Sequence, residues 1–241
     1  MVLHVAWAIT GAGHLLEETF NEIYQLTMNN KIKVTTILSP AGEQVVRMYG
    51  LWNKLKLISP GGYLQEILIE KRKDPGFSNS GRFIFGLYKL LIVSPASGNT
   101  VAKIVYGIAD TYVTNAVAQA QKANIPVYVV PTDQKEGAVT TTLPNRIERK
   151  ECKLCVPCPL IDACSYSAIK VTNGIPRIDS RLCQGCGACT TSCKFGAVKI
   201  KEKKKLYMRK IDIENFTKLH SMEKLTVLEH PKLIETIIEK F

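Results

Sequence analysis

All eight cysteines of this 241-residue chain fall between positions 152 and 193, and that confinement limits the fold more than any other feature. They come as two runs. The second is C-x2-C-x2-C-x3-C at Cys183, Cys186, Cys189 and Cys193. The first is C-x2-C-x2-C at Cys152, Cys155 and Cys158, followed after five residues by Cys164. Thiols gathered in one segment of a chain this size, with no secretion signal in sight, point to metal rather than to a disulfide framework. Structural zinc also takes four cysteines, but usually as two separated pairs, so a triple at three-residue steps, occurring twice, fits it poorly. Three thiolates at i, i+3 and i+6 wrap one corner of an iron–sulfur cube, and the fourth cysteine of each run ligates the other cube. Two 4Fe–4S clusters are expected, one on Cys152, Cys155, Cys158 and Cys193, the other on Cys183, Cys186, Cys189 and Cys164. Each run closes on an alanine and a β-branched residue (Ala168-Ile169, Ala197-Val198), which marks an internal repeat.

The segment resembles the two-cluster bacterial-type ferredoxin module. It departs from that pattern in two places. Ser165 and Lys194 stand where a proline usually follows the fourth cysteine, and the first run carries a two-residue insertion. Both changes alter packing around the clusters, while all eight ligands are present.

Composition sets the wider frame. With 46% hydrophobic and 22% charged residues, the chain can bury a core and more than one domain. Its longest apolar stretch, Phe83 to Val93, is broken by Gly86 and Lys89 and is shorter than the ~20 residues a bilayer takes. No membrane span is expected. The start reads directly as a strand rather than a leader, so a cytoplasmic location is expected. The net charge of +11 is concentrated around and after the cysteines, at Arg146 to Lys153 and Lys199 to Lys210. No nucleic-acid module is recognisable, so nucleic acid is not expected as a partner. Positive charge beside a redox centre suits acidic partner proteins or anionic substrates.

Residues 1–147 alternate strand and helix patterns and read as a doubly wound parallel α/β sheet, Rossmann-like, with helices on both faces. Val2–Thr10, Lys31–Ser39, Tyr88–Ser94 and Ile125–Pro131 are the strands. Helices are expected from His14 to Asn29, from about Ala41, and as one long element from the turn after Ser94 to about Ala123. Residues Ser59 to Arg82 read as irregular, with SPGG and DPGFSNSGR as loop markers, a candidate lid or subunit contact. Asp133 to Lys150 reads as a linker. The boundaries expected are a flavoprotein-type domain at 1–147, a small α+β ferredoxin-like domain at 148–205, and a helical tail at 206–241 split near Pro231. Three strands end in small or hydroxyl residues: Thr10-Gly11-Ala12-Gly13, Ser39-Pro40-Ala41-Gly42, and Ser94 to Thr100. Such residues also serve as turns and helix caps. Their convergence at strand carboxyl ends, where doubly wound sheets bind ligands, favours a nucleotide cradle.

The stretch SPASGNT followed by VAKIVYGIADTYVTNAV resembles the PASxNT signature and its continuation in the homo-oligomeric flavin-containing cysteine decarboxylase superfamily, and ITGAG resembles that superfamily's first strand-end loop. The resemblance implies FMN held by Gly11, Ala12 and Gly13 near its phosphate, by Ser39, and by Ala96, Ser97, Gly98, Asn99 and Thr100. It implies subunit contacts around the flavin, hence a trimer or an assembly of trimers. His14, just after the first loop, is a further candidate toward the phosphate, and Trp7 and Trp52 read as packing aromatics. Decarboxylase members carry a PxMNxxM-type clamp after the fifth strand and a mid-domain histidine. This chain has Pro131 to Gly137 as PTDQKEG, and its only histidines are His4, His14, His220 and His230, so cysteine decarboxylation is not expected.

PTDxxxG with a fused two-cluster module is similar to the archaeal iron–sulfur dihydromethanopterin reductases and the related archaeoflavoproteins. This resemblance implies electrons passing from a ferredoxin-like donor through the clusters to FMN, and a hydride from the flavin to the C=N of dihydromethanopterin. The alternative is an archaeoflavoprotein that carries electrons between redox proteins with no small-molecule substrate. A flavin is the chemically sensible neighbour of such clusters because it passes one electron or two.

Overall fold

In a computed structural model the described residues are 2–70 and 77–241. The chain runs β1 (Leu3–Ile9), α1 (Leu16–Met28), β2 (Ile32–Leu38), α2 (Pro40–Met48), α3 (Trp52–Ile58), β3 (Ile67–Ile69), α4 (Phe77–Ile84), β4 (Leu90–Ala96), α5 (Gly98–Val105), α6 (Tyr112–Lys122) and β5 (Val127–Pro131). It continues through β6 (Ala138–Thr142), β7 (Arg146–Ile147), β8 (Ile169–Thr172), β9 (Ile175–Ile178), α7 (Cys189–Ser192), β10 (Val198–Lys199), β11 (Lys203–Tyr207), α8 (Lys210–His220), β12 (Leu225–Val227) and α9 (Leu233–Ile238). The main sheet has the order β12-β5-β4-β1-β2-β3 and every pair in it is parallel. The doubly wound architecture is the one expected.

Alternation along the central strands explains the layering. Val5, Trp7 and Ile9 of β1 pack into one apolar layer with α1, α3 and α9, while Ala6 and Ala8 face the other layer with α6 and α8. β4 is buried along its whole length. Such a strand needs a helix layer on each face. Chain order reverses between β1 and β4, so the crevice at their carboxyl ends is the topological switch point.

Several elements differ from the sequence reading. The single helix expected after Ser94 is two, because Gly107 turns into the left-handed region at φ +69° and Thr111 starts a new helix with a reciprocal capping box to Thr114. The Ser59–Arg82 stretch is not irregular throughout. It supplies the edge strand β3 and the helix α4, while residues 71–76 of that stretch lie outside the described residues. The Asp133–Lys150 linker holds two short strands, β6 and β7, that pair antiparallel with β11 and β10.

The tail is helical at both ends and carries β12 between, which extends the main sheet beside β5. α8 packs on α5 and α9 on α1. Lys31 fastens α9 through Glu235 at 2.9 Å and Glu239 at 3.4 Å. The cysteine segment therefore leaves the sheet along β6 and returns along β11 before the chain rejoins it.

Candidate functional site

The carboxyl ends of β1 and β4 are locked together by buried polar groups. Thr10 Oγ1 donates to Pro95 O at 2.7 Å and accepts from the Ser97 N–H at 2.9 Å. Trp7 Nε1 donates to Ser94 O at 2.8 Å, and the Thr19 and Ser94 hydroxyls share a bond of 2.7 Å. Trp7 is a core residue, edge-on to Phe20. Trp52 is partly buried under the Arg47 guanidinium.

Around this lock there is little room for larger side chains. A Cβ on Gly11 would lie 2.6 Å from Ala41 Cβ, one on Gly13 2.1 Å from Tyr49 Oη, and one on Gly42 2.3 Å from the Ile9 carbonyl oxygen. Ser39 caps α2 by accepting the Gly42 N–H at 3.0 Å, and Ser97 caps α5 by accepting the Thr100 N–H at 3.4 Å. Both hydroxyls therefore have a helix-capping role. Gly11 and Asn99 are exposed, Gly13, Ser39, Ser97 and Gly98 are half-buried, and Ala12, Ala96 and Thr100 are buried. The fold brings the loops after β1, β2 and β4 to one edge.

Two carboxylates, which the sequence reading did not single out, stand at the start of α5. A Cβ on Gly98 would lie 2.7 Å from Asp133 Oδ2 and 2.8 Å from Asp212 Oδ1. Asp133 accepts the Gly98 N–H and, at 3.3 Å, the Thr132 hydroxyl. Asp212, buried on α8, receives Arg209 Nε and Nη2, each at 2.7 Å. Burial pushes the Asp133 carboxyl above the usual carboxylate range, and the charge of Asp212 pushes it further, against the Thr132 and Gly98 bonds and His14. Burial lowers His14 despite Glu18 and Asp133 nearby. Asp133 lay visible in PTDQKEG, but Arg209 and Asp212 sit in the tail, 76 and 79 residues further on, and no local signal ties them to this corner.

The cysteines line two separate cavities. Cys152, Cys155, Cys158 and Cys193 line one of ≈ 280 Å³, together with Pro157, Leu160 and Phe195. Cys164, Cys183, Cys186 and Cys189 line a tighter one with Ala188 and Ile200. Leu160, Ile169 and Val198 form a small apolar core that Cys158, Cys164, Cys189 and Cys193 pack against. Burial raises the Cys189 thiol, and Cys183, Cys164 and Cys186 raise it further, the mark of four thiols sharing one site. Cys164 Sγ also accepts the Ala168 N–H at 3.3 Å. Among the described residues, no three His, Cys, Asp or Glu converge closely enough to hold a single metal ion. The thiols instead stand around cavity walls, four to each, and an all-thiolate set of four suits an iron–sulfur cube. No helix among the described residues is long and apolar enough to cross a membrane.

A parallel sheet whose small-residue loops meet at its switch point, joined to paired four-thiol sites, is the arrangement of an iron–sulfur flavoprotein. The chain belongs to the flavoprotein family, which it matches over residues 2–158, and a 4Fe-4S binding domain matches residues 175–198. It is 44% identical over 239 residues to a dihydromethanopterin reductase (acceptor) of Methanosarcina mazei, covering 98% of both chains. To the protein of the same name from Methanocaldococcus jannaschii it is 45% identical over 231 residues, 95% of this chain and 93% of that one. Its fold is also that of Burkholderia xenovorans DmrB, solved in complex with FMN and described as a cubic protein cage for redox transfer. The TM-score is 0.62 at 22% identity, over 99% of this chain and 94% of that one.

Proposed function

We propose that this chain takes single electrons from a ferredoxin-like protein onto two 4Fe–4S clusters, passes them to FMN, and reduces dihydromethanopterin to its tetrahydro form. The observation that carries the reading is the pairing of glycine- and serine-bearing strand-end loops at the sheet's switch point with two four-thiol cavities on one chain. Near-full-length identity of 44–45% to two reductases of that name supports the substrate. FMN supplies the step between one-electron and two-electron chemistry.

The residues divide the crevice. The Asp133 and Asp212 side chains already occupy the space beside Gly98 at the start of α5. The phosphate therefore belongs with Gly11, Ala12, Gly13 and the Ser39 turn, where α2 presents its amino-terminal end. Ala96, Ser97, Gly98, Asn99 and Thr100 then face the ring. His14, held toward its neutral form, lies with the phosphate loop. Asp133, its carboxyl pushed up by burial and by Asp212, is the acid we assign to the ring side, donating to the substrate nitrogen. The clusters take Cys152, Cys155, Cys158 and Cys193, and Cys164, Cys183, Cys186 and Cys189. The domains are the flavoprotein part, the ferredoxin-like part and the tail that rejoins the sheet. The assembly is a trimer or a set of trimers, in keeping with the cubic cage described for the Burkholderia protein.

The cofactor inventory tests this. Acid treatment of anaerobically purified protein should release FMN, with iron near eight per chain, as two such clusters require. Iron without flavin would overturn the reading of the crevice.

A further inference from the structure

The two thiol sets differ in what they touch. The cavity of Cys164, Cys183, Cys186 and Cys189 shares Asn145, Gln184 and Gly185 with a cleft of ≈ 280 Å³ whose opposite wall includes Glu17, Tyr49 and Gly50 of the flavoprotein domain. Contact there is close. A Cβ on Gly50 would lie 2.6 Å from the Gln184 carbonyl carbon and 2.8 Å from the Gly185 nitrogen. Backbone thus meets backbone, and Gly50 sits at φ +70°, where glycine is favoured. The neighbouring Tyr49 donates its hydroxyl to Thr142 O and lies against Gly13. Lys201 and Glu17 pair across the same junction at 3.3 Å. Packed atoms therefore lead from the Cys183–Cys186 loop through Gly50 and Tyr49 to the Gly11–Gly13 loop.

The other cavity is lined only by residues between Ile147 and Ala197. Its rim is open: Phe195 lines the cavity and is 44% exposed, and Val156 (93%) and Leu154 (51%) stand exposed in the loop that carries Cys152, Cys155 and Cys158. Exposed Lys153 and Lys194 flank it. Cys186 of the first set is exposed as well, so exposure does not order the sets, but contact with the flavoprotein domain does. Electron tunnelling falls steeply with distance, and an apolar centre flanked by two cations is the complement of an acidic protein.

We propose that the cluster on Cys164, Cys183, Cys186 and Cys189 is the one that hands electrons to the flavin, and that the cluster on Cys152, Cys155, Cys158 and Cys193 receives them. Its rim of Leu154, Val156 and Phe195, with Lys153 and Lys194, docks a small acidic iron–sulfur protein. This rests on the iron–sulfur flavoprotein reading above. Each docking oxidises the donor's cluster by one electron and reduces the receiving cluster by one. Two such turnovers, with protons from water, reduce one flavin.

The test uses anaerobic holoprotein, a reduced acidic two-cluster ferredoxin as probe, and stopped-flow absorbance that follows clusters and flavin separately. K153E/K194E should slow cluster reduction about tenfold at low salt. Charge reversal at Lys203, Lys204 and Lys205 of β11, a basic strand that does not line this cavity, should leave that rate near wild type. Cys186→Ala should leave the receiving cluster reducible while the flavin stays oxidised. Equal slowing by both charge reversals, or undiminished flavin reduction in Cys186→Ala, would overturn the order. A changed oligomer size in K153E/K194E with an unchanged rate would make the rim a contact between copies and refute the docking site. Wild-type protein without iron or flavin would instead refute the underlying reading.

Discussion

Gly98→Ala places a methyl where two carboxylates already stand. The added Cβ would lie 2.7 Å from Asp133 Oδ2, 2.8 Å from Asp212 Oδ1 and 3.1 Å from Asp212 Cγ. Neither carboxylate can swing away freely. Asp212 is buried and clasped twice by Arg209 at 2.7 Å, and Asp133 is bonded to the amide of Gly98 itself. Overpacking costs about 1–3 kcal/mol, and losing a hydrogen bond to a charged group about 1.5–3. The better helix propensity of alanine returns at most about 1 kcal/mol. A net loss of about 2–4 kcal/mol follows, or roughly 5–15 °C in Tm for a chain of this size. Gly107→Ala is the control: it also changes a glycine, at φ +69°, but with nothing within 4 Å of the new atom, so it costs only about 1–2 kcal/mol of backbone strain. Thermal unfolding of the two variants, with FMN titration of each apoprotein, separates crowding from chain stiffness. Gly98→Ala should also weaken FMN by at least about tenfold, as a shift of 1.4 kcal/mol requires. A Gly98→Ala protein as stable as Gly107→Ala, with wild-type FMN affinity, would refute the crowded carboxylate corner.

Asp133→Asn tests the raised carboxyl. Because the folded pKa lies above the unfolded one, wild-type stability from this group is intact below the ordinary carboxylate range and is lost as pH rises through the folded value. The variant should therefore gain Tm over wild type at neutral pH, the gain vanishing in acid, while pterin turnover falls. Thr10→Val removes the hydroxyl that joins Pro95 O to the Ser97 N–H, and leaving such buried groups unpaired should cost about 1–3 kcal/mol in denaturant unfolding together with FMN affinity. Cys193→Ala removes a thiol from the larger cavity; iron should fall from about eight to about four per chain, with loss confined to one cluster signal in low-temperature EPR.

How much of this was legible in the sequence depends on the range of each signal. The cysteine spacing is local, and the fours it assigns are the fours that line the two cavities. Strand ends rich in Gly, Ser and Thr are local too, and they lie together because a parallel sheet carries every strand's carboxyl end to one edge. The break at Gly107 was in view, but the apolar run on either side of it reads as one helix until the Thr111–Thr114 capping box is seen. β12 escaped notice because three residues, Leu225–Val227, become a strand only by pairing with β5. Asp212 and Arg209 escaped for the same reason. Their meaning comes from α8 lying on α5, a contact between distant parts of the chain that no spacing encodes.

The central claim meets its most direct test in a single turnover. Anaerobic holoprotein, fully reduced through a ferredoxin and freed of excess donor, is mixed with dihydromethanopterin while flavin absorbance and pterin products are followed. Reoxidation of the flavin with tetrahydro product in matching amount is expected. A flavin that stays reduced beside unchanged dihydropterin, with clusters and flavin both intact, would contradict it.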